Sequence, residues 1–181
     1  MPACRLYLVL GSGDDPAASI PALQQAAAAA DIAALLIPQE QAQARGASQL
    51  TAAAQALSIA VIIENDVQAC RRLQADGVEV EGLAAFKAAR EQLGSQAMIG
   101  GRAGNSRHEA MSLGEAGADY VAMDGALIEW WAAMFEPACV CATPLTLETA
   151  APVIAAGADF IRPADMADAA GFSQLIAGMK P

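Results

Sequence analysis

At 181 residues the chain fits one domain spanning 1–181 and can bury roughly two-thirds of the surface its unfolded form exposes. Twenty acidic against ten basic residues give a net charge of −10, which repels phosphate backbones and argues against nucleic acid as a partner. No apolar run approaches the roughly 20 residues of a membrane span, and the opening MPACRLYLVLGSGDD is broken too soon for a secretory signal, so a cytoplasmic protein without a membrane partner is expected.

The first apolar run, CRLYLVL (4–10), reads as a strand and ends in Gly11-Ser12-Gly13-Asp14, which is too short for a nucleotide fingerprint and reads as a turn. A helical pattern, PALQQAAAAA, leads to the run IAALLI (32–37) and the strand end Pro38-Gln39-Glu40-Gln41. The helical SQLTAAAQAL then precedes SIAVIIE (58–64), which ends at Glu64-Asn65-Asp66. The remaining runs are GVEVE (77–81), AMIGG (97–101), DYVAM (119–123), ACVCA (138–142) and DFIR (159–162), each followed by a helical pattern. Continuous apolar runs that alternate with helices indicate a parallel sheet covered by helices. Eight such units in sequence predict an α/β fold of the (β/α)8 TIM barrel type, small and with short loops, with a doubly wound open sheet as the competitor.

One phrase recurs along the chain. Ala-Asp followed by an apolar run appears at Asp31, Asp76, Asp119 and Asp159, spaced by 45, 43 and 40 residues. Each aspartate stands where a helix hands over to a strand, at the bottom of a barrel, where recurring residues speak for stability. These four are expected to cap turns or to bond neighbouring backbone amides, not to do chemistry.

Chemistry in a barrel sits where strands end and helices begin. The two lysines, Lys87 and Lys180, are absent from those positions, which disfavours a Schiff-base aldolase. Cys4, Cys70, Cys139 and Cys141 lie in apolar stretches without CxxC spacing and read as buried, reduced thiols; a metal pair at Cys139 and Cys141 would have only His108 to add. Ser106 and Glu109 have capping-box spacing, which leaves His108 in an exposed first turn. Thr143 and Pro144 read as the cap and first turn of the helix after the seventh strand. Arg162 ends the eighth strand, but Asp165 and Asp168 crowd the next helix start and oppose a bound phosphate there. Trp130 and Trp131 point about 100° apart on a helix, so one packs inward and the other covers either the barrel's outside or a homodimer contact.

IIEND, ADGVEV, MIGGRAGNSRHEA and GADYVAMDG, in this order over residues 58–125, resemble thiamine phosphate synthase and its relatives, the thiazole tautomerases. The resemblance implies a (β/α)8 barrel that couples a hydroxymethylpyrimidine pyrophosphate to a thiazole phosphate with Mg²⁺. It also implies a small phosphorylated molecule as ligand. Asp66 is then a metal ligand with Glu81 standing in for the family's second aspartate, while Asn65, Arg102, Arg162, Thr143 and Gln39 face the substrates. Several family positions are missing. The family's Gln-x-Arg-x-Lys after strand 2 corresponds to Gln39-Glu40-Gln41, its serine after strand 5 to Arg102, and its Thr-x-Thr-Lys loop has no counterpart. Asp66 also reads simply as a helix N-cap. A divergent synthase, a non-catalytic binding or regulatory barrel of the same family, and a metal-assisted lyase or isomerase built on Glu64, Asp66, Glu81 and Asp124 are the readings left open.

Overall fold

Eight parallel strands close on themselves in sequence order in a computed structural model that describes residues 4–179. They are β1 (Arg5–Val9), β2 (Ile32–Ile37), β3 (Ala60–Glu64), β4 (Gly77–Glu81), β5 (Met98–Gly104), β6 (Tyr120–Met123), β7 (Ala138–Leu145) and β8 (Phe160–Pro163). Closure is made by β8 against β1, with Arg5 opposite Phe160 and Leu6 opposite Ile161, which removes the open-sheet alternative. Helices α1 (Ile20–Ala29), α3 (Ala47–Ala56), α4 (Val67–Leu73), α5 (Leu83–Leu93), α6 (Arg107–Glu115), α7 (Gly125–Met134), α8 (Leu147–Ala155) and α9 (Ala169–Gly178) fill the gaps between strands. A one-turn helix, α2 (Gln39–Ala42), sits in the loop after β2, which the sequence pattern does not announce. Among the described residues no helix is long and apolar enough to cross a membrane. Lys180 lies outside the described residues.

The chain's alanine excess has two uses. Outside the barrel it lets helices lie close on the sheet. Inside, Ala34, Ala60, Ala122, Ala138 and Ala142 leave room for Tyr7, Tyr120 and Phe160 to fill the cylinder. Gly100 belongs to the same economy of space, since a Cβ there would lie 2.1 Å from the Tyr120 ring.

The recurring aspartates are structural, as their position predicts. Asp76 accepts the Val61 N–H at 2.7 Å, Asp119 the Ile99 N–H at 2.7 Å and Asp159 the Cys139 N–H at 2.9 Å. Each therefore ties the start of an even strand to the odd strand before it, while Asp31 pairs with Arg5 on β1. Asp119→Ala leaves the Ile99 amide without this acceptor and should cost about 1–3 kcal/mol. Thermal unfolding should fall by roughly 2–4 °C per kcal/mol, with Asp119→Asn losing less. An unchanged melting temperature would make the contact incidental.

Two local expectations change. β7 runs on to Leu145, so Thr143 and Pro144 are strand residues and the cap of α8 is Thr146, paired with Thr149 in a capping box. The cause is pairing of Leu145 with Pro163 across an irregular stretch of the β7–β8 ladder, which outweighs the local helix-start signal. At α6 the box is half made. Ser106 accepts the Glu109 N–H, but the Glu109 carboxylate turns to the Leu83 N–H at the start of α5, where Gly82 offers no side-chain cap.

All four thiols are free and buried. Burial pushes Cys4 and Cys139 up to about 12 and Cys70 up to about 11. Such thiols hold their protons in the fold more tightly than in the unfolded chain. The stability this gives is complete below the ordinary value of 9.0 and is lost as pH rises towards about 12. A thiol reagent at pH 8 should therefore react slowly with native protein and fast with unfolded protein; rapid native labelling contradicts this burial. Trp131 is fully buried, donates to the Pro137 carbonyl at 2.8 Å and stacks on Phe135, while Trp130 lies under the Arg107 guanidinium at 4.9 Å.

Candidate functional site

The C-terminal ends of the strands form the barrel mouth, where side chains on alternate positions of each strand point inward. In β4 that phase places Glu79 inside the cylinder, only 3% exposed. Its neighbour in register on β3 is Glu64, and on β5 it faces Gly100, with Arg102 one inward step beyond.

Arg102 reaches both acids. Its Nε and Nη2 donate to Glu79 Oε1 at 3.0 and 2.6 Å, and its Nη1 lies 2.7 Å from Glu64 Oε1. Below, Tyr7 donates to Glu79 Oε2 at 2.8 Å and Tyr120 stands 3.2 Å from the same oxygen. The two tyrosine hydroxyls are 2.9 Å apart. This triangle of oxygens has two hydroxyl protons for three short contacts, so the ring is bound tightly without a donor to spare. Burial, reinforced by the Glu79 charge, holds both tyrosines well above their ordinary range. Burial also pulls Arg102 down, but Glu79 and Glu64 outweigh it and hold the guanidinium above its usual range.

Above this network lies a cavity of about 220 Å³ lined by Gly11, Ser12, Glu64, Arg102, Arg162 and apolar walls that include Val9 and Leu36. Arg162 differs from Arg102. Its one hydrogen bond among the described residues is a long one, 3.4 Å to the Ala142 carbonyl, and no carboxylate stands at contact distance. Burial lowers its proton affinity, offset in part by Glu79; arginine nevertheless stays charged. The backbone beside it is already engaged, with the Ala164 N–H on the Leu145 carbonyl and Asp165 capping the Ala167 N–H.

The structure brings Arg102 and Arg162 to one cavity. Glu64, read from the sequence as one acid of a lyase or isomerase set, joins them there, and the other residues singled out from the sequence lie elsewhere. Asn65, with a positive φ of 50°, accepts the Glu81 N–H at 3.1 Å and donates its own N–H to the Glu79 carbonyl, which locks the ends of β3 and β4 together. Asp66 caps α4 through Ala69 and takes the Gln43 amide on its other oxygen at 2.6 Å. Gln39 is exposed on α2, whereas Gln41, two residues on, is buried and donates to the Gly11 carbonyl. Thr143 is exposed and accepts the Gly125 N–H at 3.3 Å. His108 is exposed in the first turn of α6, and Asp124 precedes α7 without a side-chain cap bond.

These contacts bear on a metal. Both Asp66 oxygens are occupied, Glu81 is exposed at the end of β4, and among the described residues no three His, Cys, Asp or Glu side chains gather closely enough to hold an ion. The described residues alone build no Mg²⁺ cage, and an ion of this kind commonly takes one or two carboxylates and completes its shell with water and phosphate oxygens.

Tyr7 and Tyr120 are the residues that motif reading misses, while Glu79 and Gln41 fall in strand-end segments visible in the sequence but carry no role there. The signal for Glu79 is in the sequence: within GVEVE it falls on the inward phase of β4, one step short of the rim. The tyrosines offer none until β1 and β6 are known to face each other across the cylinder.

A family profile described as thiamine monophosphate synthase matches residues 6–126. The thiamine-phosphate synthase of Rhodospirillum centenum is 34% identical over 181 residues, covering 89% of this chain and 87% of that protein. That of Erythrobacter litoralis is 41% identical over 136 residues, covering 65% and 64%. Among solved structures, thiamine phosphate pyrophosphorylase from Pyrococcus furiosus matches with a TM-score of 0.81 at 15% identity, covering 96% of each chain. Orotidine 5'-phosphate decarboxylase from Pyrococcus horikoshii matches with a TM-score of 0.73 at 13% identity, covering 96% of this chain and all of that one; at such identities both likenesses speak for the barrel alone. By profile and by sequence relatives together, the chain belongs to the thiamine monophosphate synthase family.

Proposed function

We propose that this chain is a divergent member of its family that keeps a small-molecule cavity at the barrel mouth but does not displace pyrophosphate, and that it acts as a non-catalytic binding barrel. The observation that carries this reading is the clamp on Arg102, held by Glu79 on one side and Glu64 on the other. Glu64, Glu79, Arg102 and Arg162 sum to zero charge. A pyrophosphate ester needs several cations, and here it would meet one guanidinium without a carboxylate at contact distance and the free edge of Glu64. Each missing charge-assisted contact is worth about 1.5–3 kcal/mol, or one to two powers of ten in rate. The engaged backbone after β8 offers a phosphate monoester little more.

Retained synthesis is the second reading, favoured by the names that the relatives carry. One assay separates the two. Purified protein supplied with hydroxymethylpyrimidine pyrophosphate, thiazole phosphate and Mg²⁺ should form no thiamine phosphate above the protein-free control. Turnover near the median enzyme rate of about 10 s⁻¹ would overturn the binding reading.

A further inference from the structure

Resting on that binding reading, we infer the class of ligand: the mouth cavity takes a small zwitterion, with a carboxylate on Arg162 and an amino group on Glu64. Three observations carry it.

First, the cavity offers one cation and one acceptor that are not already matched. Arg162 makes a single long hydrogen bond among the described residues, although a guanidinium has five N–H donors in a planar fork. Glu64 meets Arg102 through Oε1, and its Oε2 has no partner among the described residues. Both side chains line the same cavity. Arg102, which lies between the two roles, has its three nitrogens committed to Glu79 and Glu64.

Second, the charge balance selects the ligand's net charge. With the four mouth residues already summing to zero, a dianion would leave uncompensated charge in a half-buried site, beside Glu64. A carboxylate and an ammonium add nothing to the sum, and each meets its opposite. A carboxylate also matches the guanidinium fork with two parallel hydrogen bonds.

Third, the space is small, and apolar side chains form only part of its wall. About 220 Å³ lies below the roughly 300–1,000 Å³ of drug-sized pockets. Val9, Leu36, Pro38 and Pro163 line it alongside the charged pair and Ser12, so a short spacer between the two charged ends fits, and an aliphatic one finds apolar contacts there.

The test uses a ladder of linear ω-aminocarboxylates, from 3-aminopropanoate to 6-aminohexanoate, followed by ligand-observed NMR and calorimetry on the intact protein. Pentanoate serves as the probe without an amine, 1-aminobutane as the probe without an acid, and inorganic phosphate as the competing anion. One chain length should bind best, with pentanoate and phosphate each weaker by about tenfold or more, the loss of one charge-assisted contact. Arg162→Gln should abolish binding of the whole ladder. Glu64→Gln should erase the advantage of the best aminocarboxylate over pentanoate, so that the two bind alike, while pentanoate itself gains affinity from the lost negative charge, an outcome that general unfolding cannot imitate. Binding of phosphate ahead of every aminocarboxylate, equal binding of pentanoate, or no binding anywhere on the ladder overturns the ligand class. Since the synthase assay is independent, absence of ladder binding without thiamine phosphate formation removes this inference alone, whereas thiamine phosphate formation removes the reading beneath it.

Discussion

Glu79→Leu should lower the stability of the barrel by about 3–5 kcal/mol, the usual consequence of removing one partner of a buried ion pair. The residue is 3% exposed and accepts from two guanidinium nitrogens and a tyrosine hydroxyl, with a second hydroxyl beside it. Its loss leaves Arg102 half-buried with Glu64 alone, and leaves Tyr7 and Tyr120 bonded only to each other. At roughly 2–4 °C per kcal/mol for a chain of this size, the melting temperature should drop by about 6–20 °C. Glu79→Gln keeps the shape and an acceptor oxygen and should fall between wild type and Glu79→Leu. The decisive variant combines Glu79→Leu with Arg102→Met. Replacing both charges with apolar groups of similar volume removes the orphaned cation, so most of the lost stability should return. If the double variant is as unstable as the sum of the single ones, the pair is not coupled as its geometry requires.

The same network shows why the fold is legible from the sequence and the site only in part. Barrel closure follows from eight apolar runs and their alternation with helices, and each run carries its own signal. The lower rim is equally readable, because Asp76, Asp119 and Asp159 act through amides on the adjacent strand and recur with the repeat. At the mouth, contacts join residues far apart in sequence, such as Tyr7 with Glu79 and Tyr120. No local pattern announces a hydroxyl 113 residues away. Arg102 is marked by its place at a strand end, but the acids that neutralise it are visible only once β3, β4 and β5 are in register. Thr143 misleads for the opposite reason. Its local signal for a helix start is strong, and a strand-to-strand contact two residues later overrides it.

Glu64→Gln should make the mouth bind inorganic pyrophosphate about tenfold to a hundredfold more tightly than wild type. The substitution removes one negative charge from the cavity wall and replaces the ion pair at Nη1 of Arg102 with a neutral amide acceptor, which holds the fold in the free protein and which a pyrophosphate oxygen can displace. One charge-assisted hydrogen bond gained is worth about 1.5–3 kcal/mol, with the removed repulsion added to it and solvent screening subtracted, because Glu64 is 24% exposed. Calorimetry at low and high ionic strength reads the effect, and the gain should shrink with salt, since the cavity opens to solvent. Glu81→Gln is the control. That acid is exposed at the end of β4 and lies outside the cavity, so its neutralisation should change pyrophosphate affinity by less than about twofold. The comparison separates a specific clamp on Arg102 from the general repulsion of a chain with net charge −10. Equal gains in the two variants would assign the effect to the overall charge, and the Arg102 clamp would then no longer support the proposed binding reading.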